Sequence, residues 1–175
     1  MKIRSLFKKK ARTFTDSRDG KTYKTINIGS QVWIAENLIY KPESGDFWMY
    51  DDLQSNADIY GYLYDWETAK KVCPIGWHLP SKAEFETLIK NCGGEGRNVY
   101  LSLKEDGKSG FNALNGGDRS GDGSYYGIGS YGEFWTSTEG NSGCAWFVYV
   151  GLFGETAEMN EFDIRSCYSV RCVKD

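Results

Sequence analysis

Glycine is concentrated in one part of this chain, since residues 93–154 hold 16 of its 21 glycines. The stretch shows almost no helical periodicity, yet it is rich in aromatic residues. Aromatic side chains bury too much area to be left in water, so many must pack in a core or on a partner. These aromatics include Phe111, Tyr125, Tyr126, Tyr131, Phe134, Trp135, Trp146, Phe147, Tyr149 and Phe153. Residues 93–143 are therefore predicted to be chiefly loop with short strands.

The regular elements outside this stretch point to a mixed fold. Residues 21–38 predict a β-hairpin, because two runs of Tyr, Thr, Ile, Val and Trp flank the turn Gly29-Ser30. Strands are also predicted over 144–153 and 169–173, where apolar residues are continuous or alternate.

Two short helices are predicted near 64–72 and 81–91. Ser81 and Glu84 form a Ser-x-x-Glu capping box, and Phe85, Leu88 and Ile89 supply the apolar stripe of the second helix. With no internal repeat, this arrangement predicts an α+β fold in which two short helices flank a twisted, mostly antiparallel sheet.

Charge divides the chain into a basic arm, residues 1–12, and an acidic domain, residues 13–175. The arm carries six basic residues and no acid, whereas the domain has 15 basic residues against 24 acidic ones. An acidic domain argues against nucleic acid as a partner, because phosphate binding needs a basic footprint. No apolar stretch is long enough to span a bilayer, so no membrane insertion is expected. The arm lacks the apolar core of a secretory signal.

Five cysteines leave two interpretations open. If the protein is exported, one or two disulfides and a free thiol are expected, whereas a cytosolic protein would keep all five as thiols. No Cys-x-x-Cys spacing is present, which argues against structural zinc and thioredoxin-type chemistry. The five are Cys73, Cys92, Cys144, Cys167 and Cys172.

The tryptophan-bearing segments are assigned to the core: Trp33, Trp66, Trp77 and Leu79 sit beside apolar neighbours. His78, the single histidine, lacks any recognisable nucleophile and orienting acid, so it is interpreted as structural and not as a general base.

The chain resembles the Fibrobacter succinogenes major paralogous domain from about Thr15 to Asp175. The segments that carry the likeness include DGKTYKTINIGSQVWIAENL, CPIGWHLPS and the terminal SVRCVKD. More distantly, LPSKAEFE and a last strand ending in Arg-Cys are similar to the C-type lectin-like fold. Within that fold the nearest branch is that of the formylglycine-generating enzyme and the variable proteins of diversity-generating retroelements.

This resemblance implies chain termini that meet on one sheet and a Cys73–Cys172 disulfide. It implies display outside the cell, on a bacterial surface or a phage virion, and no transferable catalytic residue. The expected function is therefore non-enzymatic: a binding or display module for a protein or glycan ligand, such as a diversified receptor-binding or adhesion protein.

In relatives of this kind the ligand face is formed by the C-terminal part of the domain. A scaffold is accordingly expected from residues 15–92 and a variable face from 119–168. Tyrosine and arginine are favoured at binding hot spots. The candidate ligand-binding residues, expected to be exposed, are Arg119, Tyr125, Tyr126, Phe147, Tyr149, Phe153, Arg165 and Tyr168.

Two metal sites are alternatives to this function. Asp118 and Asp122 would supply two calcium ligands, with Glu133 or Asp106 from elsewhere, but the segment lacks an EF-hand order and a plain polar turn is favoured. Cys167 and Cys172 share the spacing of the copper(I) cysteines of the formylglycine-generating enzyme, which makes a copper-dependent oxidase the alternative function. No cofactor is expected for the binding module.

Overall fold

Alternating Thr, Tyr, Ile and Val residues form the first sheet in the computed structural model, which describes residues 12–94 and 96–175. Its order is β1-β2-β3-β13-β6. The predicted hairpin is confirmed, because β2 and β3 pair antiparallel around Gly29, whose φ of 60° suits the turn. The last strand pairs with β3, so both ends of the domain meet on this sheet. The strands are β1 (Arg12–Thr15), β2 (Thr22–Ile28), β3 (Gln31–Ile34), β6 (Trp77–His78) and β13 (Val173–Lys174).

A second sheet contains eight strands. Six follow the order β11-β10-β9-β12-β5-β4, and the small hairpin β7–β8 attaches to β12. All strand pairs in it are antiparallel except β12 with β9. The strands are β4 (Phe47–Trp48), β5 (Leu63–Asp65), β7 (Asp118–Arg119), β8 (Tyr125–Tyr126), β9 (Tyr131–Glu139), β10 (Cys144–Gly151), β11 (Thr156–Asp163) and β12 (Cys167–Ser169).

Four α-helices lie within residues 12–94 and 96–175: α1 (Gln54–Tyr60), α2 (Trp66–Val72), α3 (Lys82–Asn91) and α4 (Arg97–Leu103). The two predicted helices are α2 and α3. Both reciprocal hydrogen bonds of the predicted capping box, between Ser81 and Glu84, are present at the start of α3. The prediction of two helices missed α1 and α4. The seven residues of α1 bury only Ala57, so α1 has no apolar stripe, and α4 directly follows the glycines at 93–96.

The prediction that residues 93–143 are chiefly loop is wrong for β9, a nine-residue strand. Gly132 interrupts the alternation of polar and apolar residues that would indicate a strand, and a bulge interrupts the pairing between β9 and β10. The predicted strand 169–173 is also divided. Residues 170–172 pass from the large sheet to the small one, and their carbonyls still accept hydrogen bonds from the backbone at Ile34 and Leu38.

The core assignments are confirmed, since Trp33, Trp66, Trp77 and Leu79 are all buried. The Cys73–Cys172 disulfide is also present and joins the end of α2 to the segment between the two sheets. Cys92, Cys144 and Cys167 are free thiols. Residues 1–11, which make up most of the basic arm, lie outside the described residues. In the described part, no helix combines the length and the apolar character needed to cross a membrane.

Candidate functional site

The small hairpin β7–β8 distributes the candidate ligand residues between two faces. Asp118 pairs with Tyr126, and Arg119 pairs with Tyr125. Directly opposed residues of an antiparallel pair lie on the same face, and successive residues on opposite faces. Asp118 and Tyr126 therefore share one face, and Arg119 and Tyr125 share the other.

The first face continues onto β9 and β10. The hydroxyl of Tyr131 donates a hydrogen bond to Oδ1 of Asp118 at 2.6 Å, and the Tyr131 ring centre lies 5.3 Å from that of Tyr149. Tyr149 in turn pairs with Glu133 of β9. These five residues, Asp118, Tyr126, Tyr131, Glu133 and Tyr149, are called the acid–tyrosine face below.

A glycine is required under this face. A side chain at position 127, where φ is 78°, would collide with the Tyr131 ring, since a Cβ there would lie 2.1 Å from ring atoms. Gly127 thus allows the Tyr131 ring to lie against the backbone beside Tyr126. Tyr126 is half exposed, whereas Tyr131 and Tyr149 are partly buried.

The two carboxyl groups of the face have perturbed acidities. Burial and the neighbouring Asp118 raise the pKa of Glu133 to about 8, although a hydrogen bond from the Tyr168 hydroxyl lowers it. Burial also raises the pKa of Asp118, against the opposing effect of its bond from Tyr131. Within the described residues neither carboxyl forms an ion pair. Near pH 7 Glu133 is therefore largely protonated, and the face offers a neutral carboxylic acid.

Two of the candidate ligand residues are buried, and Arg119, Tyr125 and Tyr149 are only partly exposed. Tyr168 is 2% exposed and Phe147 is 6% exposed, so the expectation that they lie on an open face is wrong. Tyr168 stacks 4.1 Å from Trp135 and 4.9 Å from Phe147 between ring centres. The reason is topological, because β12 lies between β9 and β5 in the middle of the large sheet. Through its hydroxyl, Tyr168 still affects the acidity of Glu133.

The opposite face of the hairpin holds Arg119 between aromatic rings. Its guanidinium carbon lies 4.4 Å from the Trp48 ring centre and 5.7 Å from that of Tyr125. The Tyr125 hydroxyl donates to Oδ1 of Asp52 at 2.9 Å. Nε of Arg119 is buried and has no hydrogen-bond partner among the described residues. Trp48 was not a sequence candidate, because it lies in a polar segment without a strand pattern.

The remaining two candidates lie outside the acid–tyrosine face. Phe153 is 75% exposed in the turn after β10, and the neighbouring backbone N–H of Leu152 donates to Ser130. Arg165 is exposed and forms an ion pair with Asp163 at 2.6 Å. Its Cβ lies against Gly121 in the β7–β8 turn.

The calcium candidates do not converge. Oδ1 of Asp122 accepts from the backbone N–H of Ser124 at 2.9 Å, which closes the turn, while Asp118 is engaged with Tyr131. Among residues 12–94 and 96–175 no three His, Cys, Asp or Glu side chains are grouped so that they could hold a metal ion. Calcium normally takes six to eight oxygen ligands.

The disulfide leaves only one of the two copper candidates as a free thiol. Cys172 is bonded to Cys73, so it has no thiolate to offer. Cys167 is buried, and this burial raises the pKa of its thiol to about 12. The thiolate pair that a copper-dependent oxidase needs is therefore not formed by Cys167 and Cys172 in this structure.

His78 links the terminus to the capping box. Its Nδ1 lies 2.7 Å from Oδ1 of Asp175, and its Nε2 lies 2.9 Å from Oε1 of Glu84. Burial lowers its pKa, but hydrogen bonds to the two carboxylates outweigh this effect and the pKa is raised overall. Both ring nitrogens of His78 are thus engaged by carboxylates.

Comparison with known proteins gives one result at the level of family. The family model of the Fibrobacter succinogenes major domain matches residues 26–174. No curated protein and no solved structure matches the chain.

Proposed function

The chain belongs to the Fibrobacter succinogenes major domain family, and we propose that it is a non-enzymatic module that binds a protein or glycan outside the producing cell. The Cys73–Cys172 disulfide supports this location, because structural disulfides persist in oxidising compartments. Display on a bacterial surface or a virion is part of the same proposal.

We further propose a C-type lectin-like fold for the domain. Three features support this placement. The last strand, β13, pairs with β3, which brings the two ends of the domain together on one sheet. The capped helix α3 follows the CPIGWHLPS segment, and the disulfide joins the end of α2 to the terminal segment.

The acid–tyrosine face is the observation that carries the binding proposal. It gathers tyrosines from β8, β9 and β10 beside two carboxyls that are partly buried and that lack a cationic partner among residues 12–94 and 96–175. Carboxyls placed in this way cost stability and are concentrated at functional sites. Tyrosine contributes a large rigid surface and a polar hydroxyl, which is why it is enriched at binding surfaces.

The chemistry of the face suits a polar ligand. The Asp118 carboxyl oxygens accept hydrogen bonds, the protonated Glu133 carboxyl donates one, and the tyrosine hydroxyls do both. Hydroxyl-rich sugars and polar protein side chains offer complementary groups. The open ring of Tyr126 provides the adjacent apolar contact.

A screen followed by a mutational test would decide the proposal. The labelled domain is applied to an array of glycans and bacterial surface proteins, and the affinity for each hit is measured by calorimetry. Tyr126→Ala and Tyr149→Ala should each weaken binding by about 1–3 kcal/mol, as expected for hot-spot truncations. Ile59→Ala, which removes an exposed apolar side chain from α1, is the matched control. Wild-type affinity in both tyrosine variants would contradict the assignment of this face.

A further inference from the structure

One face of the small sheet is covered only in part. Tyr23 pairs with Phe14 and shares this face with it, and Tyr23 is buried in the core. Ile34, two residues after Val32, lies on the same face and is also buried there. The rest of the face is open and forms a groove of about 730 Å³, called the sheet-face groove below. Its lining includes Arg12, Phe14, Val32, Ile75, Trp77 and Lys174.

The charged residues of the sheet-face groove are basic. Arg12 and Lys174 line it, and no acidic side chain of the described residues does. Both basic residues are exposed, and neither forms an ion pair with another residue in the described ranges. The neighbouring acid Asp175 lies 2.7 Å from Nδ1 of His78 and is engaged there. The groove is therefore a basic site on a domain that is acidic overall.

The basic arm adds further positive charge beside the groove. Arg12 is the last residue of the arm and lines the groove. Residues 1–11 contain no acid, and a chain spans at most about 3.6 Å per residue, so charges this near in sequence act at the same surface. Their basic residues are Lys2, Arg4, Lys8, Lys9 and Lys10.

An apolar side chain projects beside these cations. Ile75 lies in the loop between α2 and β6 and is 87% exposed, more than any other large apolar side chain of the described residues. Phe14 and Trp77 lie next to it in the groove, with ring centres 5.1 Å apart. An exposed apolar residue among cations is typical of a surface that meets the boundary between lipid headgroups and acyl chains.

We propose that the sheet-face groove docks on the surface of an anionic lipid bilayer. Arg12, Lys174 and the basic arm contact the headgroup phosphates, and Ile75 enters the interface without any segment spanning the bilayer. Stable binding of this kind takes two signals, and an apolar group with a polybasic patch is one such combination. Each Lys or Arg near an anionic bilayer adds to the affinity.

The charge distribution favours a bilayer over an acidic protein segment. Five of the seven cations precede the groove in one linear run, and a polybasic run suits a continuous charged surface better than a single partner geometry. The domain after the arm has 15 basic residues against 24 acidic ones, so its other faces are repelled by the same bilayer. Because salt screens charges beyond about 8 Å, this repulsion turns the groove toward the lipid without cancelling the local attraction.

Sedimentation of the full chain with lipid vesicles tests this proposal. Vesicles of mixed phosphatidylglycerol and phosphatidylcholine should bind the protein at least about tenfold more tightly than vesicles of phosphatidylcholine alone. The double substitution Arg12→Gln with Lys174→Gln should weaken binding to the anionic vesicles by about tenfold or more. Lys90→Gln with Lys108→Gln removes two exposed lysines that do not line the groove, and it should weaken binding by less than about threefold.

A second pair of variants tests the apolar contact. Ile75→Ser should weaken binding to the anionic vesicles by at least about threefold, whereas Ile59→Ser, at an exposed isoleucine of α1, should not. Equal binding to the two kinds of vesicle would overturn the proposal. Unchanged binding in both groove variants would assign the affinity to the arm alone and would also overturn it. Displacement of the vesicles by soluble polyglutamate, with no effect of Ile75→Ser, would assign the groove to an acidic protein instead.

Discussion

Arg171 contacts Phe111 in two ways: its Nη1 donates to the Phe111 carbonyl at 2.6 Å, and its guanidinium carbon lies 4.7 Å from the ring centre. Arg171 is fully buried, and it also donates to the Asn112 carbonyl and to Oδ1 of Asn37. Burial lowers the pKa of its guanidinium. The cation is thus held mainly by carbonyl oxygens and aromatic faces, and it joins the SVRCVKD terminus to the start of the glycine-rich half.

Replacing this arginine by lysine should destabilise the domain. Lysine has a single ammonium group and cannot reach the separate acceptors at residues 37, 111 and 112 with the planar geometry of a guanidinium. We expect Arg171→Lys to lower the free energy of unfolding by about 2–4 kcal/mol in chemical denaturation. Arg165→Lys, at an exposed arginine, should change it by less than about 0.5 kcal/mol. Similar effects of the two substitutions would contradict the structural role of Arg171.

Loss of the disulfide should also destabilise the domain. The bond between Cys73 and Cys172 spans 99 residues, and cross-links of this kind restrict the unfolded chain. The double substitution Cys73→Ala with Cys172→Ala is expected to lower the free energy of unfolding by about 2–5 kcal/mol. Reductant should destabilise the wild type by a comparable amount and leave the double variant unaffected. Sensitivity of the double variant to reductant would point to a second disulfide.

Local signals in the sequence account for the parts of the fold that were predicted. The capping box at Ser81 and Glu84 fixes the start of α3, and the turn at Gly29 fixes the first hairpin, because each depends on residues close in the chain. The tryptophan-bearing segments could be assigned to the core because their neighbours are also apolar.

The acid–tyrosine face could be predicted only in part, because it depends on pairing between distant strands. Residue type predicts Tyr126 and Tyr149 as exposed aromatics, but it indicates Glu133 only as a calcium ligand and Tyr131 only as one aromatic among many. Their relationship follows from the register of β9 with β10 and from the position of the β7–β8 hairpin, which residue types alone do not specify. The burial of Tyr168 has the same cause, since a three-residue strand gives no sign of its place in a sheet.

The pair of contacts at His78 predicts a pH dependence of stability. Because Asp175 and Glu84 raise the pKa of His78 above 6.5, the folded protein holds this proton more tightly than the unfolded chain. The stabilisation is complete below pH 6.5 and is lost as the pH rises through the folded-state pKa. His78 is 42% exposed, so solvent screening limits the effect to less than about 1 kcal/mol. Melting temperatures between pH 5.5 and 8.5, about the range where histidine titrates, should fall more steeply for the wild type than for His78→Gln.

Ionisation of the Glu133 carboxyl should destabilise the folded protein at high pH. Its pKa of about 8, against 4.5 in an unfolded chain, means that the folded protein retains a proton across this window. The free energy of unfolding should therefore fall as pH rises from 4.5 to 8. Glu133→Gln, which mimics the protonated acid, should be more stable than the wild type by about 1–3 kcal/mol at pH 9 and nearly equal at pH 4.5. Glu139→Gln removes an exposed carboxylate from the same strand and controls for net charge. A gain that is the same at both pH values would contradict this account.

Truncation of Tyr168 should destabilise the domain far more than truncation of Tyr126. Tyr168 is buried against Trp135, so Tyr168→Ala leaves a cavity and should lower the free energy of unfolding by about 3–5 kcal/mol. Tyr126 is half exposed, and Tyr126→Ala should lower it by less than about 1 kcal/mol.

A third variant isolates the hydroxyl of Tyr168. Tyr168→Phe retains the stacked ring but removes the hydrogen bond that lowers the pKa of Glu133. This variant should remain folded, and the Glu133 pKa, followed by carboxyl-carbon NMR, should move further up. Tyr126→Phe removes an exposed hydroxyl and should leave the pKa of Glu133 unchanged. An unchanged Glu133 pKa in Tyr168→Phe would show that the buried hydroxyl does not act on the acid–tyrosine face, and Tyr168 would then be a packing residue alone.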